Sequence, residues 1–245
     1  MNPALRRCLA QRIAWQQRLN DPRAEPRNRL PTLSPLRRWQ ADRLATSFRD
    51  ILADPAMRPA ATFFLTDLYG DQDFTGRDRD AARILPMMAR ILPEALLQAA
   101  CDAIELGVLS HAFDLRMAQA LARRRDPDAP ITDADYAKAY RAVGLRRLRA
   151  HQIDLIEKVG VALDAGVHRH GVHRLLRASR LPAQLAGLAQ LQRFLERGFD
   201  AFAKLGGAGP FLTLITGRER EISRRLFAGH KAPFDIDKVA PKPGR

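Results

Sequence analysis

The chain has 245 residues with 41 Lys+Arg against 27 Asp+Glu, a formal net charge of +14, and 46% apolar residues. That apolar content can offset the entropy of ordering a core, which excludes a disordered chain. The two cysteines, Cys8 and Cys101, exclude a disulfide scaffold, and the longest uncharged stretches, Leu181–Gln192 and Leu205–Gly217, have 12 and 13 residues where a membrane span needs roughly 18.

The dominant period is helical. Residues 3–19 put Leu5, Leu9 and Ile13 on one side of a helix. This acid-free start lacks the apolar run of a secretory signal, so it reads as an amphipathic helix of a cytoplasmic protein. DPRAEPRNRLPTLSP, residues 21–35, is rich in proline and is expected to be an irregular linker. It would set the first helix apart as a mobile arm. Ser34 and Pro35 form a helix-start pair, a capping hydroxyl followed by proline. The helix they open carries Leu36, Trp39, Leu44, Phe48, Ile51 and Leu52 inward and stops before Pro55. AATFFLTDLYG follows as a short apolar helix, with Gly70 as its C-terminal cap. Residues 77–92 read as a helix kinked or broken by Pro86.

Pro93 opens a long helix to about residue 123, with an inward stripe of Leu97, Ala100, Cys101, Ile104, Val108, Ala112 and Leu115. Thr132 starts the next helix with a T-x-x-D capping box, and Gly144 divides it from one that runs to about Gly166. Residues 172–181 form a short basic helix halted by Pro182, and residues 183–205 a longer one. Pro210 opens the last helix, to Phe227; FLTLIT, residues 211–216, has no partner strand and is read as helical. The tail HKAPFDIDKVAPKPGR is expected to be extended or disordered. The fold class is all-α, a single bundle-like domain of nine or ten helices with an N-terminal helical arm and a flexible C-terminal tail. The boundaries are residues 1–33 for the first helix and linker, 34–229 for the helical domain, and 230–245 for the tail.

Charge is uneven: residues 61–120 sum to −4, while residues 1–60, 121–180 and 181–245 sum to +7, +6 and +5. The acidic island holds FFLTDLYGDQDFTGRDRD, residues 63–80. Asp71 to Gly76 imitates half of a calcium loop, but Ala82 occupies the twelfth position, where a bidentate Glu belongs. The preferred reading is architectural: these aspartates cap helices and pair with Arg77 and Arg79, and a buried Asp67 would need an arginine partner. Asp67, Tyr69, Asp71, Asp73, Arg77 and Asp78 are thus a candidate cluster, functional or structural. His168, His170 and His173, with His151 upstream, form a His-rich tract without a nearby carboxylate. Asp102, Glu105, His111 and Asp114 lack the Glu-x-x-His spacing of a bundle metal site. No metal site and no cofactor are therefore expected, and phosphate-loop and nucleophile-elbow motifs do not occur in the sequence. Arg146 and Arg149, then Arg174, Arg177 and Arg180, are candidate anion contacts. The sparse aromatics beside them disfavour nucleic acid.

FFLTDLYG followed by DF and RD resembles the hallmark of a proteobacterial family, a domain of unknown function, with the pattern FFLxDLYG. HQIDLIEKVG, LQRFLERGFDAF and the terminal RE…RLFAG look like that family too. The resemblance spans most of residues 35–229 and implies no catalytic residue. Together these features point to a cytoplasmic helical interaction module whose partner is another protein or an anionic ligand. The alternatives are an enzyme with a pocket near Asp67 and Tyr69, aided by Glu105 or His111, and a nucleic-acid binder using the arginine faces.

Overall fold

The computed structural model describes residues 3–68, 80, 94–124, 126, 128–169 and 171–236. The protein is all-α: among these residues every regular element is helical. The α-helices are α1 Pro3–Asn20, α2 Leu33–Ser47, α3 Arg49–Ala53, α4 Arg58–Phe63, α5 Glu94–Leu121, α6 Asp133–Val143, α7 Arg146–Val167, α8 Val172–Ala178, α9 Arg180–Leu185, α10 Ala189–Ala203 and α11 Gly209–Phe227. A 3-10 turn, Pro26–Arg29, precedes α2, and a π-turn, Phe64–Leu68, continues α4.

The long helix α5 is the spine. The stripe Leu97, Cys101, Ile104 and Val108 buries against Leu9 and Ile13 of α1. Leu106, Leu109 and Phe113 enter a central core with Phe48, Phe63, Phe64, Leu155, Phe211 and Ile215. Leu115, Met117, Ala118 and Leu121 join Leu36, Tyr136, Tyr140, Ile222 and Leu226 in a third cluster. The predicted stripe was therefore too narrow: α5 is apolar on several sides because it is covered on several sides.

The first helix is docked along α5, not held away as a mobile arm. Its apolar side is buried, and Arg12 reaches both Asp102, at 3.4 Å, and Glu105. The proline-rich stretch is tied down as well. The Glu25 carboxylate accepts from the Arg27 backbone amide at 3.2 Å and pairs with the Arg27 guanidinium at 2.7 Å. Asn28 donates to the Leu19 and Glu25 carbonyls, both at 2.9 Å. Side-chain bonding replaces the ladder that proline forbids.

The expected start at Ser34–Pro35 is corrected: α2 begins at Leu33, after Thr32, and Pro35 lies within its first turn. The buried Thr32 hydroxyl donates to the Ala118 carbonyl at 2.8 Å instead of capping its own helix. The single helix expected up to Pro55 is divided at Phe48, whose side chain is fully buried. Other signals hold. Thr132 accepts from the Asp135 amide, and Asp135 accepts from the Thr132 amide, each at 3.1 Å. Gly144, at φ 65°, separates α6 from α7. Pro182 does not halt a helix; it sits in the first turn of α9, where its missing N–H is no loss.

The start of the tail is packed. Phe234 sets its edge against Trp39 and Tyr136, at ring-centroid distances of 5.5 and 5.9 Å, and those two rings stack on each other at 4.2 Å. Ile236 is buried. The expectation of an extended or disordered tail thus fails through residue 236, and residues 237–245 lie outside the described residues. The helix expected over 77–92 also falls outside them, apart from Asp80.

Candidate functional site

Asp67 is the one member of the acidic cluster that the structure places; Tyr69, Asp71, Asp73, Arg77 and Asp78 lie outside the described residues. It is buried at the π-turn that ends the α4 segment. Arg197 of α10 donates to Asp67 Oδ1 through Nε at 2.8 Å and also through Nη2. The Thr66 hydroxyl donates to Oδ2 at 2.9 Å. Beside this pair the Phe63 ring lies 5.4 Å from Phe194 and covers Gly198, where an added Cβ would stand 2.8 Å from the ring. FFLTDL and LQRFLERGF therefore interlock, through a charge pair and an aromatic seated on a glycine. The terminal Arg218 and Glu219 are tied back in the same manner. Arg218 donates to Asp50 Oδ1 at 2.6 Å and to the Ser47 carbonyl at 2.8 Å, and Glu219 accepts from Arg43 at 2.5 Å.

The imidazoles and the α5 polar residues disperse. His151 meets Glu105 at 2.9 Å, and the same Glu105 is paired with Arg12. His168 Nδ1 donates to the Asp164 carbonyl at 2.9 Å. His173 stacks on Phe199, and His170 lies outside the described residues. Among the described residues no three His, Cys, Asp or Glu side chains are grouped to hold a metal. His111 Nδ1 accepts from Arg37 at 2.8 Å, which leaves the proton on Nε2, donated to Asn28 Oδ1 at 2.8 Å. Burial, with Arg37 adjacent, holds this imidazole down to about 4. Asp114 accepts from Arg37 at 3.4 Å, and burial pushes its carboxyl above the usual range. Asp67, Glu105 and His111 thus serve three different sets of partners.

The arginine candidates do not form one face. Arg149 is corrected from exposed contact to buried residue: it is 6% exposed, with its guanidinium 3.8 Å from the Phe113 centroid and 4.4 Å from that of Tyr140. Two facing aromatic rings favour the inward rotamer. Arg146 is exposed and stacks on Phe227 at 4.8 Å. Arg174, Arg177 and Arg180 are exposed along α8 and α9. Arg180 pairs with Glu196 at 2.5 Å, and Gln192 donates to the same carboxylate at 3.0 Å.

Beside these arginines stand residues that the pattern reading missed. Leu181 and Leu185, one turn apart on α9, are 64% and 82% exposed, and Leu195 of α10 is 45% exposed. The signal was present in the text: residues 165–195 contain no Asp or Glu and five arginines, Arg169, Arg174, Arg177, Arg180 and Arg193. Helical periodicity assigns leucines to a core, so it could not mark these as exposed. No described helix is long and apolar enough to cross a membrane.

Residues 19–233 match the family described as Domain of unknown function (DUF8198). No curated protein and no solved structure gives a match.

Proposed function

The chain belongs to that domain-of-unknown-function family, and from this premise we propose that it is a helical interaction module that captures an acidic, leucine-bearing helix of another protein on its α8–α9–α10 face. The observation that carries the reading is the exposure of Leu181 and Leu185 inside an acid-free, arginine-bearing stretch. Apolar side chains at i and i+4 fit the anchor spacing of a helix laid against them, and the exposed Arg174 and Arg177 of the same stretch favour an acidic partner. A nucleic acid fits less well. Trp15 is the exposed large aromatic among the described residues, and it lies on α1, away from this chain segment. The interlock of Asp67 with Arg197 supports an architectural role for Asp67. The free thiols Cys8 and Cys101 support a cytoplasmic site of action.

The test is fluorescence anisotropy with a labelled helical peptide of alternating Glu and Leu faces, beside a Lys-for-Glu peptide and a single-stranded oligonucleotide. Binding of the acidic peptide is expected, weakened at least about tenfold by the paired changes Leu181→Asp and Leu185→Asp, a loss on the scale of one or two buried leucines. Equal binding by the variant, or tighter binding of the oligonucleotide, would overturn the reading.

A further inference from the structure

Arg149 sits in the first turn of α7, together with Arg146 and Arg147, and that turn holds no acidic residue and no side-chain cap. Three guanidinium groups therefore gather at the positive end of a helix, where anions are favoured and cations are not. Two of them are exposed and solvated; Arg149 is buried. Its Nε and Nη2 are buried atoms with no hydrogen-bond partner among the described residues. The rings of Phe113 and Tyr140 lie against the guanidinium and leave the N–H groups of Nε and Nη2 without a hydrogen-bond acceptor among the described residues.

The charges around it do not cancel. Arg37 and Arg43 flank the same region, against Asp114 and Glu219. Glu219 is engaged by Arg43, and Asp114 accepts from Arg37. Asp114 and Tyr140 lie within electrostatic reach of Arg149 without bonding to its edge. Among the described residues one cation remains in excess. A buried donor left unmade and a buried charge left unpaired are both unfavourable, and one bound anion relieves both.

We propose that the edge of Arg149 is the seat of a small monovalent anion, a halide or the carboxylate of a small acid, held by its Nε–H and Nη2–H groups. The chemistry is one negative charge accepting two N–H bonds in the guanidinium plane. The site is distinct from the α8–α9–α10 face and stands without it.

The test uses the full chain. Chloride NMR line width is measured with wild type and with Arg149→Met, which keeps the length and apolar body of the side chain. Wild type is expected to broaden the chloride line, Arg149→Met to abolish most of the broadening, and acetate to compete where the site accepts carboxylates. Should Arg149→Met fail to fold, wild-type crystals soaked in bromide give the decision: an anomalous peak within hydrogen-bond distance of Arg149 Nε and Nη2 supports the site. Equal broadening by a folded Arg149→Met, or a water in place of bromide at saturating salt, overturns it. Displacement by acetate assigns the site to carboxylates as well as halides; its absence confines the site to halides.

Discussion

Asp67 and Arg197 are 130 residues apart in sequence and meet at the joint between the π-turn and α10, where Arg197 donates to Asp67 Oδ1 through Nε at 2.8 Å and through Nη2. The two halves of the pair are unequal. The Asp67 side chain is 8% exposed and that of Arg197 is 52% exposed. Arg197→Ala leaves a buried carboxylate without its guanidinium and is expected to cost about 2 kcal/mol. Asp67→Asn keeps the shape and lets Arg197 turn to water, at less than about 1 kcal/mol. Urea unfolding of both variants checks the order; a reversed order would mean that the aspartate is not the group being protected.

Gly160 of α7 faces Leu212 so closely that an added Cβ would lie 2.3 Å from Leu212 Cδ2. Leu212 is itself buried, so the clash cannot be relieved into solvent. Gly160→Ala is expected to destabilise by about 1–2 kcal/mol, because overpacking outweighs the gain in helix propensity. Gly107 of α5 is exposed and meets nothing within 4 Å. Gly107→Ala should stabilise by about 0.5–1 kcal/mol. Opposite shifts in thermal midpoint are the readout.

His111 gives the fold an acid-sensitive point. Its folded pKa is held down to about 4 by burial and by Arg37, below the ordinary value of 6.5. The unfolded chain therefore takes up the proton first as pH falls. The contribution is complete above about pH 6.5 and is lost toward about pH 4, amounting to about 2 kcal/mol between about pH 7 and about pH 5. Asp114 runs the other way: its carboxyl is raised, so it retains protons in the fold and offsets part of the loss at the acid end. His111→Gln should flatten the decline of stability across this window; an unchanged slope would assign it to other groups.

Cys101 is fully buried, and burial with Cys8 alongside pushes its thiol up to about 11. About one molecule in a thousand then carries the thiolate at pH 8. Ellman's reagent should label one thiol, Cys8, in native protein and two in urea. Rapid labelling of both in native protein would show that the α1–α5 contact opens.

Signals that act within one turn were legible. The Thr132 box, the Gly144 break and the Pro210 start depend on neighbours a few residues away. The need for an arginine opposite a buried Asp67 was legible too, but its identity was not, because Arg197 comes from a distant helix. Thr32, Asn28 and Phe234 escaped for the same reason. Thr32 is spent on the Ala118 carbonyl, Asn28 on His111, and Phe234 on Trp39 and Tyr136. Arg149 shows the limit most plainly. The sequence reading made it a candidate anion contact beside Arg146, and two aromatic rings from other helices turned it inward.

All three apolar clusters draw side chains from α5. Loss of α5 would therefore open all three at once. Melting is therefore expected to be cooperative, with one transition in calorimetry and the same midpoint whichever cluster is watched. A protein built in this way offers a protease few intermediate stopping points, and its halves, expressed separately, should each lack a finished interior.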